Sequence, residues 1–132
     1  MLTENITRQL LCKAIMSQIL IFTSSSDEAR DVKIGIVSNV KKMFGRCHKV
    51  SYDLDGVCVA GYQYIYIMSV KQYNEMKRFK IEPFKGMVFI TNKGLYNDIK
   101  DFDTIYYLPL GGGQVDGTGI QSAPSDKPFT TF

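Results

Sequence analysis

Two short apolar segments, residues 18–24 (QILIFTS) and 86–91 (GMVFIT), constrain the fold of this chain most. Both are rich in β-branched and aromatic residues, which is typical of buried β-strands. Segments with the apolar spacing of helices precede and follow them along the chain. Helices that alternate with buried strands indicate an α/β domain, in which helices pack on a sheet.

The whole pattern predicts the order α-β-α-β-β-α-β-α-β. Ser26 stands where it can cap the second helix, and Gly45 stands where that helix should end. Asp55-Gly56 lies between two alternating segments and predicts a β-hairpin, so at least one strand pair is antiparallel. We therefore expect a mixed sheet of about five strands. The predicted helices are 3–17, 26–44, 70–79 and 95–102, the predicted strands are 18–24, 48–54, 57–68, 86–91 and 104–110, and the second helix should bury Val32, Ile36, Val40 and Phe44.

The chain divides into one domain and an arm. Its 132 residues are 45% hydrophobic with a net charge of +3, a composition of a globular domain and not of a disordered chain. Five of the eleven glycines and two of the four prolines follow residue 110, where apolar periodicity ends. We expect an α/β domain over residues 1–110 and an irregular Gly-rich C-terminal arm over 111–132. Pro128, Phe129 and Phe132 are candidate anchors with which the arm would dock on a protein partner or on a second copy.

Several classes of protein fit the sequence poorly. No apolar run approaches the ~20 residues of a membrane-spanning helix, and charged residues interrupt the first twenty positions, so we expect neither a membrane anchor nor a signal peptide. Three cysteines without C-x-x-C spacing favour the reducing cytoplasm. Cys47 and the single histidine, His48, are adjacent and would point to opposite sides of a strand, which argues against a zinc site or a nucleophile–base pair. We expect no metal, no cofactor and no catalytic site.

The segment 61–67 (GYQYIYI) carries the most specific pattern. Because side chains alternate along a strand, Tyr62, Tyr64 and Tyr66 would share one face. On an open sheet face such a stripe can stack on nucleic-acid bases. Beneath a helix, the same rings would pack in the core with their hydroxyls at its rim. The sequence leaves both alternatives open.

This segment resembles the first ribonucleoprotein motif of the RNA-recognition motif family, in which a glycine precedes alternating aromatic and aliphatic residues. The predicted order β-α-β-β-α-β over residues 18–91 is also the order of that family. Residues 41–45 (KKMFG) resemble the end of its first helix, and Phe22 is similar to the aromatic residue of its first strand. Ala60 stands where the family has a basic residue. The resemblance implies that the tyrosine strand stacks on bases.

A second resemblance concerns residues 19–30 and 87–92. The strand that ends at Thr23-Ser24 and leads into Glu28-Ala29-Arg30 is similar to the second strand and helix of helicase or packaging-motor ATPase cores, where a Thr/Ser-rich loop touches nucleic acid. The sequence has no G-x-x-x-x-G-K-S/T motif, and Thr91-Asn92 follow the later strand where such cores carry acidic residues. This resemblance implies a scaffold without ATPase chemistry.

Basic side chains cluster in two segments of the chain, and such clusters bind phosphates by releasing counterions. Charged faces that only keep a protein soluble give a similar pattern. The first cluster consists of Lys41, Lys42, Arg46, His48 and Lys49, and the second of Lys71, Lys77, Arg78, Lys80 and Lys85.

We therefore expect a non-catalytic binding or assembly protein of a nucleic-acid-handling complex. One alternative is a structural subunit of a homo-oligomer or larger particle, such as a viral one, docked through residues 111–132. Another is a metal-dependent nuclease, suggested by Asp53, Asp55 and the acid-x-lysine spacing of Glu75 and Lys77. The expected nucleic-acid contacts are Lys41, Lys42, Arg46, Lys49, Lys77 and Arg78 to phosphates, and Tyr62, Tyr64 and Tyr66 to bases.

Overall fold

The central strand of the sheet is Ile19–Thr23 (β1), and all five of its residues are buried. The computed structural model describes residues 2–99, 102–110, 121–124 and 130–131, the last two segments by their backbone alone. The helices are α1 (Glu4–Ala14), α2 (Ser26–Phe44), α3 (Val70–Glu75) and α4 (Lys77–Ile81), with a 3₁₀ helix over Lys93–Asp98. The other strands are β2 (Val50–Tyr52), β3 (Gly56–Val59), β4 (Ile65–Ser69), β5 (Met87–Ile90), β6 (Thr104–Tyr107), β7 (Gln121–Pro124) and β8 (Thr130–Thr131).

The strands form one mixed sheet in the order β2-β3-β4-β1-β5-β6-β7-β8. β1 is parallel to β4 and β5, and β5 is parallel to β6. β3 pairs antiparallel with both β2 and β4. The predicted β2–β3 hairpin is present, but its turn lies over residues 53–55, and Gly56 of the predicted Asp55-Gly56 turn is the first residue of β3. The α/β class and the mixed sheet expected from the sequence are confirmed.

Helices cover both faces of the sheet. α1 and α2 pack on one face, where Ile21, Ile67 and Phe89 belong to a core with Ile36 and Leu10. On the other face, α3, α4 and the 3₁₀ helix pack over a second core. β1 is apolar at nearly every position because neither of its faces meets solvent. The second core contains Leu20, Phe22, Tyr66, Met68, Phe79, Phe84 and Ile90.

The N-cap of α2 lies one residue earlier in the chain than the sequence predicts. Ser25, and not Ser26, is the N-cap, since its Oγ accepts a hydrogen bond from the Glu28 N–H (3.2 Å). The Glu28 carboxylate in turn accepts hydrogen bonds from the Ser24 N–H (2.8 Å) and from the Thr91 hydroxyl (2.7 Å). The start of α2 is thereby joined to the end of β5.

The predicted strand over residues 57–68 is wrong in one respect, because it is two strands. β3 ends at Val59, and a turn with a left-handed Gly61 (φ 92°) separates it from β4. The predicted helix over 70–79 is also divided, since Met76 has an extended conformation (φ −82°, ψ 118°) between α3 and α4. Alternation and helical spacing extend across both interruptions, so neither pattern locates them.

Two segments of the arm are strands, although the sequence predicts no regular structure there. β7 pairs antiparallel with β6, and β8 pairs antiparallel with β7. The proposed anchors Pro128, Phe129 and Phe132 lie outside the described residues. Among the helices of the described residues, none has the length and apolarity needed to cross a membrane.

Candidate nucleic-acid interface

The first basic cluster and, apart from Lys71, the second meet one edge of the sheet. The parallel strands β1, β4 and β5 all begin at the same end of the sheet, and we call this end the amino-terminal edge. α2 follows β1 and α4 precedes β5, so each helix ends at this edge, on opposite faces of the sheet. The loop before β5 is held there, since the Met87 N–H donates to the Gln18 carbonyl (2.9 Å). The two clusters are separate in the sequence, and the parallel topology brings residues 41–49 and 77–85 to this edge, whereas Lys71 lies at the start of α3, at the opposite edge.

Three aromatic side chains form what we term the aromatic corner: Phe44, His48 and Tyr62. The Phe44 ring centroid lies 5.2 Å from that of His48 and 6.5 Å from that of Tyr62, nearly parallel to the latter (23°). Phe44 remains 45% exposed. The His48 Nε2–H donates to the Ala60 carbonyl (3.2 Å), which fixes the imidazole against the β3–β4 loop.

Two glycines shape this corner. Gly45 ends α2 with φ 102°, and Gly61 turns the β3–β4 loop with φ 92°. The backbone of a residue other than glycine is strained at such positive φ values. A Cβ atom at either position would have no neighbour within 4 Å, so the requirement for glycine comes from the backbone and not from crowding. Gly45 directs the chain from Phe44 towards His48, and Gly61 precedes Tyr62.

Basic side chains surround the corner. Lys41, Lys42, Arg46 and Lys49 are exposed, and three of them line an open groove of about 490 Å³ together with Ser38. Within the described residues, none of these four cations forms an ion pair. Four exposed positive charges thus lie around the corner, where an anionic ligand can reach them. Lys77 and Arg78 are exposed on α4, at the opposite face.

The predicted tyrosine stripe has three different environments. Tyr66 is only 4% exposed, with Phe79 and Phe84 packed edge-on against its ring (5.4 and 5.9 Å between centroids). Tyr64 is half-buried, and Tyr62 belongs to the aromatic corner. Tyr66 therefore fits the second alternative, in which the ring packs in the core beneath a helix. The open stacking face implied by the RNA-recognition motif is absent around it, and Phe22 is fully buried as well.

The Tyr64 hydroxyl donates a hydrogen bond to Asp53 Oδ1 (2.5 Å). Burial raises the pKa of Tyr64, and the hydrogen bond to Asp53 and the nearby carboxylate charges raise it further. Desolvation also raises the pKa of Asp53, but the hydrogen bonds from Tyr64 and from two backbone N–H groups, together with the charge of Lys33, outweigh it. The net pKa of Asp53 is lowered, so this carboxylate is ionised at neutral pH.

Asp53 and Asp55, two carboxylates of the nuclease hypothesis, form hydrogen bonds at the turn of the β2–β3 hairpin. Asp53 Oδ1 accepts hydrogen bonds from the N–H groups of Asp55 (2.9 Å) and Gly56 (3.1 Å). Asp55 Oδ1 accepts one from the Gln72 amide (3.3 Å). Glu75 ends α3, whereas Lys77 begins α4. In the described part of the chain, no group of three or more His, Cys, Asp or Glu side chains is arranged to hold a metal ion.

A second groove, of about 540 Å³, has a different character. Leu2, Val32 and Leu110 line it, together with the carboxylate residues Glu28 and Asp31. Lys42 lines it as well, so its charged residues are two carboxylates and one cation. Two carboxylates disfavour phosphate at this groove, in contrast to the amino-terminal edge.

Sequence reasoning missed the exposure of Phe44. Helical spacing places it on the inner face of α2, but it is the last residue of that helix and is exposed. The mixture of cations and aromatics in residues 41–49 (KKMFGRCHK) was the signal that could have identified it. Comparison of the chain with family models, with curated proteins and with solved structures finds no match.

Proposed function

We propose that this protein is a non-catalytic nucleic-acid-binding component of a nucleic-acid-handling complex, and that it binds through its amino-terminal edge. The observation that carries the proposal is the aromatic corner with four exposed cations around it. Cations and exposed aromatic rings on one surface are the two elements of sequence-tolerant binding to nucleic acid.

The cations supply attraction to phosphates. Lys41, Lys42, Arg46 and Lys49 carry four positive charges close to the end of α2. Each phosphate that such a side chain neutralises releases counterions, so the affinity should fall steeply as salt is added.

The aromatic corner supplies contacts to bases. The exposed part of Phe44 and the half-buried Tyr62 offer π-faces that any base can stack on. The two glycine turns and the hydrogen bond of His48 hold these rings before a ligand arrives. A preorganised surface loses less side-chain entropy on binding than a mobile one.

The test is fluorescence anisotropy of a labelled fifteen-nucleotide oligothymidine at low salt. Phe44→Ala should weaken binding by about 5- to 150-fold, since a stacked base is worth ~1–3 kcal/mol. Lys41→Ala/Lys42→Ala should also weaken binding and make the salt dependence shallower by about 0.7 in slope for each lost phosphate contact to a single strand. Tyr52→Ala is the matched control, because Tyr52 is 49% exposed on β2 and lies away from the corner.

Circular dichroism and a thermal melt establish that each variant is folded. Equal affinities of the wild-type and Phe44→Ala proteins, with the fold intact, would contradict base stacking. The same basic and apolar surface suits an anionic membrane, so vesicles of acidic phospholipid form the second arm of the experiment. Binding to those vesicles without binding to the oligonucleotide would overturn the proposal.

A further inference from the structure

A small cavity of about 110 Å³ lies at the amino-terminal edge, on the face opposite the aromatic corner. Arg78 and Lys85 line it with Gln18, and Tyr66 and Glu82 complete its polar wall. Pockets for whole small molecules measure ~300–1,000 Å³, so this cavity suits a single compact polar group. Two cations and one carboxylate leave it with a net positive charge.

Arg78 is held in place by aromatic rings. Its guanidinium carbon lies 5.4 Å from the centroid of Tyr66 and 5.9 Å from that of Phe79. A guanidinium that rests on aromatic faces keeps its N–H groups at the rim, where they can bind a phosphate through two oxygens. Lys85 is exposed, lines the same cavity and adds a second positive charge.

The cavity and the corner are joined by one segment of chain. Residues 15–18 lead from α1, on the face of the aromatic corner, into β1, and Gln18 lines the cavity. Ala14 accepts a hydrogen bond from the Gln63 N–H (2.7 Å), next to Tyr62 of the corner. Met16, which is 83% exposed, lies on this segment and presents an apolar surface to bases.

From this arrangement we infer that the ligand is single-stranded and crosses the amino-terminal edge, with a backbone phosphate in the cavity beside Arg78 and Lys85. The inference rests on the proposed function and identifies its substrate class. A duplex is stiff over ~150 base pairs and cannot bend around the edge of a small domain, whereas a single strand can. Helices on opposite faces of a sheet are about 20 Å apart at ~10 Å per layer. That span requires ~6 nucleotides at ~3.4 Å for each stacked nucleotide.

The experiment compares oligothymidines of four and fifteen nucleotides with a fifteen-base-pair duplex. Arg78→Ala/Lys85→Ala should weaken binding of the long single strand by about 10-fold or more, since two charge-assisted contacts are lost. The affinity of this variant for the four-nucleotide strand, which the corner alone accommodates, should differ from that of the wild-type protein by less than 2-fold. Arg30→Ala/Lys71→Ala is the control, because it removes the same charge from exposed positions at the opposite edge of the sheet.

Arg78 packs on Tyr66, so Lys85→Glu provides a second variant that leaves those rings untouched. Lys85→Glu should weaken binding of the long single strand in the same way. If both variants behave like the Arg30→Ala/Lys71→Ala control while Phe44→Ala still weakens binding, this inference is wrong and the proposed function stands. Equal affinity for the duplex and the long single strand would also contradict it. If no oligonucleotide binds the wild-type protein, both proposals fail.

Discussion

At the scale of single residues, the carboxylate of Asp53 organises the β2–β3 turn. It accepts the N–H groups of Asp55 and Gly56 and the hydroxyl of Tyr64, so three donors converge on one oxygen. Charge-assisted hydrogen bonds of this kind stabilise the ionised form. The hairpin is also joined to α2, because the buried Lys33 donates to the carbonyls of Asp53 and Leu54 (3.0 and 3.2 Å).

Tyr64→Phe should therefore destabilise the protein by about 1 kcal/mol in urea unfolding at neutral pH, because one hydrogen bond is lost. The pKa of Asp53 is lowered in the folded state, so its contribution to stability is present above the unfolded pKa and is lost as pH falls through the folded pKa. The raised pKa of Tyr64 has the opposite sign, and its contribution is lost as pH rises above its ordinary value of 10.0. In Tyr64→Phe the acid-side loss should be smaller, and the alkaline-side loss should be absent because phenylalanine does not ionise.

The control for this prediction is Tyr52→Phe, which removes the hydroxyl of an exposed ring. It should leave both the urea midpoint and the acid limb of the stability curve unchanged. An NMR titration of Asp53 gives a direct measurement, in which the carboxyl pKa should rise towards its ordinary value of 3.8 in Tyr64→Phe. An unchanged Asp53 titration would mean that the phenol does not stabilise the carboxylate.

At the scale of elements, replacing the glycine within α2 and replacing the glycine that directly follows it should have opposite effects. Gly45→Ala should cost about 1–3 kcal/mol in unfolding free energy, because φ 102° with ψ 156° is a conformation that only glycine adopts readily. Gly35→Ala should stabilise by up to ~1 kcal/mol, because alanine favours the helix and the new Cβ would lie in ordinary contact with Leu2 (3.5 Å). Urea midpoints of the two variants test both signs. An unchanged midpoint for Gly45→Ala would show that the end of α2 is not strained, and a lowered midpoint for Gly35→Ala would contradict the expected gain in helix stability.

The same helix shows what sequence reasoning can predict. The pattern predicts α2 over 26–44 with its end at Gly45, because capping, helical spacing and a terminal glycine are local signals that agree. The Asp55-Gly56 hairpin is local in the same way. The burial of Tyr66 is not a local property, since Phe79 of α4, further along the chain, covers its ring. Exposure of Phe44 likewise depends on where α2 ends relative to the sheet.

At the scale of the whole molecule, the site exists because of strand order. The sequence identifies the cations, but nothing in their spacing reveals that residues 41–49 and 77–85 come to one edge. β1 lies between β4 and β5, parallel to both, so the helices that connect these strands lie on opposite faces and both end where the strands begin. A different strand order would separate the same residues.

The sheet also determines what removal of the arm should do. β7 pairs with β6 along Thr104–Tyr107, so a chain that ends at Leu110 leaves that side of β6 without a partner. Open strand edges pair with other molecules. We expect residues 1–110 to self-associate at high concentration, measured by light scattering coupled to size-exclusion chromatography. Their affinity for the oligonucleotide should nevertheless stay within about 2-fold of the full chain, because the aromatic corner lies beyond β1 on the opposite side of the sheet.

Two other outcomes of this truncation carry different conclusions. A full-length oligomer that becomes monomeric without the arm would support the structural-subunit alternative, in which residues 111–132 hold copies together. A monomeric, folded 1–110 chain that no longer binds the oligonucleotide would place part of the interface in the arm and contradict binding through the amino-terminal edge alone. We expect self-association because β6 loses its partner strand, and retained binding because the aromatic corner and its cations lie on the other side of β1. The two results are independent, since they depend on opposite sides of the same sheet.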